Sequence, residues 1–161
     1  MPSADLVVDA NQAWSFARLV ELSPYLAEIG VKLIEQPLPA EDDEQLREYD
    51  GPVPLCADEA CSDRRSLAAV TGKYGFINIK LDKSGGLTEA LHLAHEARAL
   101  GLRLMVGCME GTSLGIAPAF LIGQLCEVVD LDCPLLLKKD IVDGMRYDGH
   151  ILHPYDNALW G

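Results

Sequence analysis

Short runs of apolar residues alternate along the chain with segments in which apolar residues recur at helical spacing. The runs predict six strands, at residues 6–8, 32–35, 54–57, 76–81, 103–107 and 127–131. The segments between them predict helices at 12–29, 41–49, 62–71, 87–100 and 113–126. Each apolar run is short and ends in turn or charged residues, which is typical of buried parallel strands. Strands that alternate with helices indicate right-handed β-α-β units and a parallel sheet.

Polar or turn residues follow these strands at a regular interval. They lie 23 to 26 residues apart, at Asp9, Glu35, Asp58, Lys83, Gly107 and Asp130. A doubly wound sheet usually has less regular units and a glycine-rich phosphate loop after its first strand, and no such loop follows residues 6–8. A (β/α)8 barrel fits the regularity better, because it places catalytic residues at the carboxyl ends of several strands.

The number of strands predicts an incomplete barrel. A closed (β/α)8 barrel typically needs about 250 residues, whereas this chain has 161. We therefore predict an α/β fold in which residues 1–137 form about six βα units and the first strands are missing. Residues 138–161 lose the period and are predicted to form a C-terminal tail of turns and short strands. Such an open sheet would expose a strand at each edge.

Composition and charge narrow the classes of function. Hydrophobic residues make up 49% and charged residues 24%, which is typical of a soluble globular protein. The formal net charge of −12 argues against nucleic acid and anionic membranes as partners. The five cysteines are an odd number without the spacing of a disulfide framework. We expect them to be free thiols in a reducing cytoplasm.

Three of the strand-end residues are carboxylates: Asp9, Glu35 and Asp58. Neighbouring parallel strands lie about 4.8 Å apart, so three acids on one rim would repel one another unless a cation lay between them. Oxygen ligands without Cys or His favour a hard ion, with Mg²⁺ ahead of Ca²⁺ or Mn²⁺. Each acid alone could instead cap the helix that follows its strand. The matched position of all three favours a metal site.

Lys80 and Lys83 follow the fourth strand, in the string KLDKSGG. A divalent cation nearby disfavours the ammonium form of a lysine and lowers its pKa toward that of a useful base. Lys83 directly precedes the small residues 84–86, which leave room for a substrate. A lysine at a strand end, taken alone, is more often solvated.

Five strings in this order resemble the muconate-lactonising subgroup of the enolase superfamily. They are VDAN (8–11), IEQP (34–37), ADEA (57–60), NIKLDKSGG (78–86) and GCMEGTSLGIA (107–117). The resemblance covers roughly residues 5 to 137, and the ordered set is much more specific than any single string. Enzymes of this superfamily use a lysine or histidine base with Mg²⁺ to stabilise an ene-diolate.

The resemblance implies a role for each matching residue. Asp9, Glu35 and Asp58 would bind Mg²⁺, Lys83 would be the general acid/base, and Lys80 would be a supporting cation. Two further residues, Asn11 and Glu59, would support the metal ligands and the lysines from outside the ligand set.

The last strand resembles that of the dipeptide epimerases. Asp130 and Asp132 are two residues apart, so they would face the same way on a strand. The pair is similar to the acids that dipeptide epimerases place on the α-ammonium group of the substrate. The string GCMEGTS also resembles that family and implies that Cys108, Met109 and Glu110 lie near the substrate. For the acid pair alone, the alternative is a solvated strand end.

The resemblance implies a cytoplasmic, Mg²⁺-dependent isomerase that epimerises dipeptides of the L-Ala-D/L-Glu type by α-proton abstraction. Two alternatives stay open. One is another enzyme of the subgroup, such as a cycloisomerase or an o-succinylbenzoate synthase. The other is a non-catalytic fragment that folds by association.

The family also carries two parts that we do not find in this sequence. One is an N-terminal capping domain, toward which the tail would pack. The other is a lysine motif on the strand before Asp9, which supplies a second base. We therefore expect reduced or no activity from the chain alone. It could associate as a homo-oligomer or with a complementing N-terminal part.

Overall fold

A six-stranded parallel sheet forms the centre of the computed structural model, which describes residues 4–161. The strands are β1 (Leu6–Asp9), β2 (Val31–Glu35), β3 (Leu55–Ala57), β4 (Phe76–Ile79), β5 (Arg103–Val106) and β6 (Val128–Val129). Each strand pairs with the next one along the chain, in the order β1 to β6. The predicted partial α/β barrel is therefore confirmed as a curled half-barrel.

Helices and 3-10 turns connect the strands. The α-helices are α1 (Phe16–Glu28), α2 (Leu67–Val70), α3 (Leu81–Ser84), α4 (Leu87–Ala99) and α5 (Ser113–Gly123). The 3-10 turns are Ala40–Asp42, Glu44–Glu48, Arg64–Ser66 and Cys133–Leu136. Within residues 4–161, no helix has the length and apolar character needed to cross a membrane.

Two predicted helices are shorter or less regular than expected. The segment 41–49 forms two 3-10 turns, and 62–71 forms a 3-10 turn followed by the single turn of α2. Asp43 separates the first two turns, and its buried carboxylate binds the side chains of Lys73 and Tyr74. These tertiary contacts override the helical pattern of that segment.

Local signals explain where the long helices begin and end. The side chain of Ser15 accepts a hydrogen bond from the backbone N–H of Arg18 at 3.2 Å and caps α1. Gly30 and Gly101, with φ of +91° and +81°, follow α1 and α4. The left-handed backbone at these two positions favours glycine, and both helices end within one residue of the predicted positions 29 and 100.

Buried apolar side chains lie on both faces of the sheet. The larger group fills the space between the sheet and the helices and includes Leu19, Ile34, Ile77, Leu93 and Leu104. A smaller group on the opposite, concave face consists of Leu33, Cys56, Phe76 and Met105. Successive strand residues point to opposite faces, so β2, β3, β4 and β5 each contribute to both groups. Burying one such large apolar side chain stabilises the fold by about 1.5–3 kcal/mol.

The tail packs on the last βα unit. It contains an antiparallel hairpin whose strands are β7 (Tyr147–Asp148) and β8 (Ile151–Leu152). The Tyr147 hydroxyl donates to the carbonyl of Leu131 at 2.7 Å. The Asp140 carboxylate accepts from the backbone N–H of Ser113 at 3.0 Å, at the start of α5. The expected approach of residues 138–161 to a capping domain stays a prediction.

The cysteines correct one prediction. A disulfide joins Cys108 and Cys133, whose Cα atoms are 6.6 Å apart, while Cys56, Cys61 and Cys126 are free. The expectation of free thiols is therefore wrong for two of the five. Cys108 and Cys133 meet because they follow β5 and β6, which are neighbours in the sheet.

This pairing predicts a thiol count. Protein prepared without reductant and unfolded in guanidinium should react with a thiol reagent at three cysteines per chain, and at five after reduction. Replacing Cys133 by Ser should release Cys108 as one additional thiol. The control Cys126→Ser should only lower the count by one. Five reactive thiols in the unreduced wild type would contradict the disulfide.

Candidate metal and acid/base site

A cavity of about 760 Å³ opens on the concave face of the sheet. Leu33, Phe76 and Met105 form an apolar part of its floor, and Lys32, Arg103 and Glu127 also line the cavity. Its rim, toward the carboxyl ends of the strands, is polar and includes Asp9, Glu35, Asn78, Lys80 and Asp130. On β2 and β4, the floor residue and the rim residue are two positions apart, because every second side chain of a strand points to the same face.

The register of the first strands brings the three predicted metal ligands to one rim. Asp9 on β1 pairs directly with Glu35 on β2. Glu35 in turn pairs with Cys56 on β3, and Asp58 lies two residues beyond Cys56. The strand alternation therefore places all three carboxylates on the concave side.

Glu35 lies between the other two predicted ligands along the rim. Its side chain is buried, and Oε1 accepts a hydrogen bond from Asn78 Nδ2 at 2.6 Å. Burial raises the pKa of Glu35 to about 7; the Asn78 hydrogen bond and Lys80 oppose this, and the charges of Asp58 and Asp9 add to it. A carboxylate in this position would gain from a nearby cation.

Two lysines bind the carboxylate of Asp58, one at each oxygen. Lys80 Nζ donates to Oδ2 at 2.6 Å, and Lys83 Nζ donates to Oδ1. Burial opposes the ionised form of Asp58, but Lys83 and Lys80 outweigh it and hold the pKa of Asp58 below its usual value. In this structure the ammonium groups therefore supply the positive charge at the rim.

The two lysines differ in their other contacts, and their predicted roles stay predictions. Lys83 Nζ also donates to the backbone carbonyls of Asp58, Cys61 and Asn78, at 2.6, 3.2 and 3.2 Å. Its contacts are thus mainly with the main chain. Lys80 lines the concave cavity. Burial lowers the pKa of Lys80, but the hydrogen bond and charge of Asp58 outweigh it and raise that pKa above its usual value.

The side chains of Asp9, Glu35 and Asp58 supply the oxygen ligands that a hard cation prefers, but they are not arranged around a common point in this structure. Within residues 4–161, no group of three or more His, Cys, Asp or Glu side chains is arranged to hold a metal ion. Asp58 contacts the lysines instead. Two buried oxygens near the lysines and Glu35 lack a hydrogen-bond partner among the described residues, Glu59 Oε2 and Asn78 Oδ1. Such oxygens and the charged rim suit Mg²⁺, and the ligand set stays a prediction.

The two predicted supporting residues lie beside this rim. The backbone N–H of Asn11 donates to Asp9 Oδ1 at 2.7 Å, and Asn11 has a left-handed φ of +45°. Asn11 therefore holds Asp9 through its main chain. Glu59 follows Asp58, and its charge contributes to the raised pKa of Lys80. Their supporting roles remain predictions.

Two further residues shape the rim, Asn78 and Gly107, for which the sequence motifs predicted no role. A side chain at position 107 would place its Cβ 2.7 Å from the Asn78 amide and 3.0 Å from Lys80 Cε. Gly107 therefore leaves the space that these two rim residues occupy. Asn78 could have been found by strand alternation, because it precedes Lys80 by two residues and faces the same way.

Asp130 and Asp132 lie together at the edge of the sheet. Asp130 lines the concave cavity, and both acids line a neighbouring cavity of about 530 Å³. The predicted strand 127–131 is too long, because β6 ends at Val129 and neither acid lies on a strand. Asp132 is exposed and directly precedes a 3-10 turn. Burial, followed by the charge of Asp132, raises the pKa of Asp130. The pair therefore offers concentrated negative charge beside the cavity.

The loop after β5 lies apart from the concave cavity. Cys108, Met109 and Glu110 line a separate cavity of about 50 Å³, and the last two are exposed. Cys108 is occupied by its disulfide with Cys133. The structure thus does not bring these three predicted substrate contacts to the rim, and their role stays a prediction.

Comparison with known sequences assigns the chain to a family that agrees with the predicted resemblance. The profile of a family described as "Enolase C-terminal domain-like" matches residues 1–146. An N-acetyl-D-glutamate racemase from Pseudoalteromonas sp is 46% identical over 160 residues, which cover 99% of this chain and 51% of that relative. The L-Ala-D/L-Glu epimerase of Escherichia coli (strain K12) is 46% identical over 153 residues, covering 95% and 48%. The chain thus spans about half the length of these curated relatives.

Solved structures share the fold. An enolase family member from Agrobacterium tumefaciens with homology to dipeptide epimerases, with bound sodium and L-Ala-L-Glu, has a TM-score of 0.96 and 47% identity, covering 99% of this chain and 49% of its own. A dipeptide epimerase from Methylococcus capsulatus, complexed with Mg and L-Arg-D-Lys, has a TM-score of 0.87 and 31% identity, covering 95% and 46%. These likenesses confirm the predicted fold and the resemblance to dipeptide epimerases.

Replacing Glu35 by Gln tests the metal site with little change of shape. The variant keeps the oxygen that accepts from Asn78 and removes a buried charge that Asp58 and Asp9 repel. We expect its melting temperature in EDTA to equal or exceed that of the wild type. Mg²⁺ at 100 times its Kd should stabilise the wild type by about 2.7 kcal/mol, and the variant should lose this response.

Thermal unfolding with and without Mg²⁺ measures both effects. Glu21→Gln is the control, because Glu21 is an exposed acid that pairs with Arg18. It should keep the full response to Mg²⁺. An equal response in Glu35→Gln and the wild type would contradict the assignment of Glu35 as a ligand.

Proposed function

Since the chain belongs to the enolase C-terminal domain-like family, we propose that it carries the metal and acid/base part of a Mg²⁺-dependent epimerase of dipeptides. The concave cavity carries this proposal, because Asp9, Glu35, Lys80 and Asp130 line one space and Lys80 binds the carboxylate of Asp58. The L-Ala-D/L-Glu epimerase and the Mg-bound dipeptide epimerase among the similar proteins support the substrate class and the ion.

Asp9, Glu35 and Asp58 would hold the ion. Bound there, Mg²⁺ would stabilise the negative charge that develops on the substrate carboxylate when the α-proton leaves. Glu35 is already surrounded by the charges of the other two acids, which favours a cation at this point. Asp58 would be shared between the ion and the lysines that it contacts.

Lys80 is the group that we assign to proton transfer. Its side chain lines the cavity, and Asp58 favours its ammonium form. In that form Lys80 can deliver a proton to the α-carbon of the substrate, and in its neutral form it can remove one. Lys83 holds the main chain of Asp58 and Cys61 and so keeps the acid in reach of Lys80.

Asp130 and Asp132 would bind the α-ammonium group of a dipeptide, since a charge-assisted hydrogen bond is stronger than a neutral one. A ligand cation would also relieve the repulsion that contributes to the raised pKa of Asp130. The substrates of cycloisomerases and o-succinylbenzoate synthases have no ammonium group, so the acid pair disfavours those alternatives.

A second candidate is the racemisation of an N-acylated amino acid. The observation that favours it is the 46% identity to an N-acetyl-D-glutamate racemase. An N-acyl substrate offers no cation to Asp130 and Asp132, which is why we place the dipeptide first. A non-catalytic role also stays open, because the chain spans about half of its relatives.

Exchange of the substrate α-proton tests the role of Lys80. With Mg²⁺ in D₂O, we expect the wild-type chain to exchange this proton in one epimer of an Ala-Glu dipeptide, because one lysine reaches one face of the carbon. General-base help contributes about 10²–10⁴-fold, so Lys80→Met should slow the exchange by at least ~100-fold. The variant should keep the Mg²⁺ response in thermal unfolding.

Lys83→Met is the comparison variant and should lower the melting temperature more than Lys80→Met does. Proton NMR with each epimer separately measures the exchange. Loss of exchange in Lys83→Met with exchange kept in Lys80→Met would restore the assignment of Lys83 as the base. No exchange by the wild type at saturating Mg²⁺ would contradict catalysis by this chain.

The acid pair predicts selectivity for a free amino group. L-Ala-D-Glu should bind at least ~10-fold more tightly than its N-acetyl derivative, which lacks the charge that strengthens hydrogen bonds to carboxylates. Calorimetric titration measures both affinities. Asp130→Asn should reduce the difference, while Asp148→Asn, an exposed acid of the tail hairpin, should preserve it. Tighter binding of the N-acetyl compound would favour the racemase alternative.

A further inference from the structure

Gln36 lies directly after Glu35 and reaches across to the end of the next strand. It is completely buried and has a left-handed φ of +32°. Its side-chain Oε1 accepts hydrogen bonds from the backbone N–H groups of Asp58 at 2.9 Å and Ala60 at 3.1 Å. One side-chain oxygen therefore attaches the turn that carries Asp58 and Glu59 to the end of β2.

The other end of the Gln36 amide is equally well satisfied. Nε2 donates to the carbonyl of Leu38 at 2.9 Å and to the hydroxyl of Tyr74 at 3.0 Å. All four hydrogen-bonding positions of the amide are thus used, two as acceptor and two as donor. Turning the amide over would set its N–H groups against those of Asp58 and Ala60, so one orientation is strongly favoured.

A buried ion pair determines that orientation. The Tyr74 hydroxyl donates to Asp43 Oδ2 at 2.9 Å, and Asp43 also binds Lys73. Burial and the Asp43 carboxylate raise the pKa of Tyr74 well above its usual value, so the phenol keeps its proton. Because that proton points to Asp43, only a lone pair of the hydroxyl faces Gln36. Gln36 must therefore present its N–H group to Tyr74 and its oxygen to Asp58.

We propose that Gln36 is a positioning residue that fixes where Asp58 lies relative to Glu35 and Lys80. Gln36 binds the N–H of Asp58, and Lys83 binds the carbonyl of Asp58 at 2.6 Å. The main chain of Asp58 is thus held on both sides, and only its side chain is free to shift between partners. For metal binding, this inference rests on the proposed function.

Replacing Gln36 by Met tests the inference, because Met has a similar length and forms none of the four hydrogen bonds. We expect the affinity for Mg²⁺, measured by calorimetry, to fall by about 10–100-fold, as is usual when a group that supports a metal ligand is lost. Amide hydrogen exchange at Asp58 and Ala60 should accelerate by at least ~10-fold, while the amides of β5 keep their protection. The exchange measurement needs no metal.

Two further variants separate positioning from general stability. Ser23, in α1, shares a partly buried hydrogen bond with the hydroxyl of Tyr49. Ser23→Ala removes this bond and should lower the melting temperature without changing the Mg²⁺ affinity of the folded protein. Tyr74→Phe removes the hydroxyl that orients the amide and keeps the acceptor contacts of Gln36. It should weaken Mg²⁺ binding by a smaller factor than Gln36→Met, and it serves as the test variant if Gln36→Met does not fold.

The outcomes are distinct. Unchanged Mg²⁺ affinity and unchanged exchange at Asp58 and Ala60 in Gln36→Met would overturn the inference, as would an equal loss of affinity in Ser23→Ala. A wild type that does not bind Mg²⁺ would contradict the proposed function. In that case the exchange at Asp58 and Ala60 would still decide whether Gln36 positions the turn.

Discussion

The contact between Asp58 and two lysines is the interaction on which the candidate site depends. The rim carries three carboxylates, and burial, followed by the charges of Asp58 and Asp9, raises the pKa of Glu35. Lys80 and Lys83 compensate the negative charge at Asp58, because β4 lies next to β3 in the sheet. The same contact keeps Lys80 at the cavity and, through Lys83, attaches the main chain of Asp58 to the end of β4. The same contacts of Asp58 with Lys80 and Lys83 therefore both balance the charge of the rim and fix its shape.

The geometry of parallel strands explains why such an arrangement is available. Because side chains on a strand alternate between its two faces, β2 and β4 each contribute an apolar residue to the floor of the cavity and a polar residue to its rim, such as Leu33 and Glu35. The sheet has six strands, where a closed barrel has eight. Its edge residues Leu6, Val7 and Val129 are 42%, 40% and 51% exposed. These edges agree with a chain that spans about half of its relatives.

Much of the fold could be predicted because strand spacing is a local property of the sequence. The alternation of apolar runs and helical segments located all six strands and placed Asp9, Glu35 and Asp58 on one rim. The roles of the lysines could not be settled in this way. Helix α3 begins at Leu81, directly after Lys80, so the period of the strand does not extend to Lys83. The contacts of Lys83 with three carbonyl groups depend on how that helix packs.

Other features depend on residues that are distant along the chain. The disulfide between Cys108 and Cys133 follows from the adjacency of β5 and β6, which the spacing of the cysteines does not reveal. The segment around Asp43 has a helical pattern, yet its contacts with Lys73 and Tyr74 hold it in 3-10 turns. Gln36 looks like an ordinary polar residue after a strand. Its importance appears only when its four hydrogen bonds are counted together.

X-ray diffraction at the manganese absorption edge, from crystals of the chain soaked in Mn²⁺, tests the central claim most directly, because Mn²⁺ takes the same oxygen ligands as Mg²⁺. The account predicts one anomalous peak on the concave face, bounded by the carboxylates of Asp9, Glu35 and Asp58. Lys80 should still face the cavity, and Lys83 should still bind the carbonyl of Cys61. A peak elsewhere, or no peak with Asp58 still bound to both lysines, would contradict it.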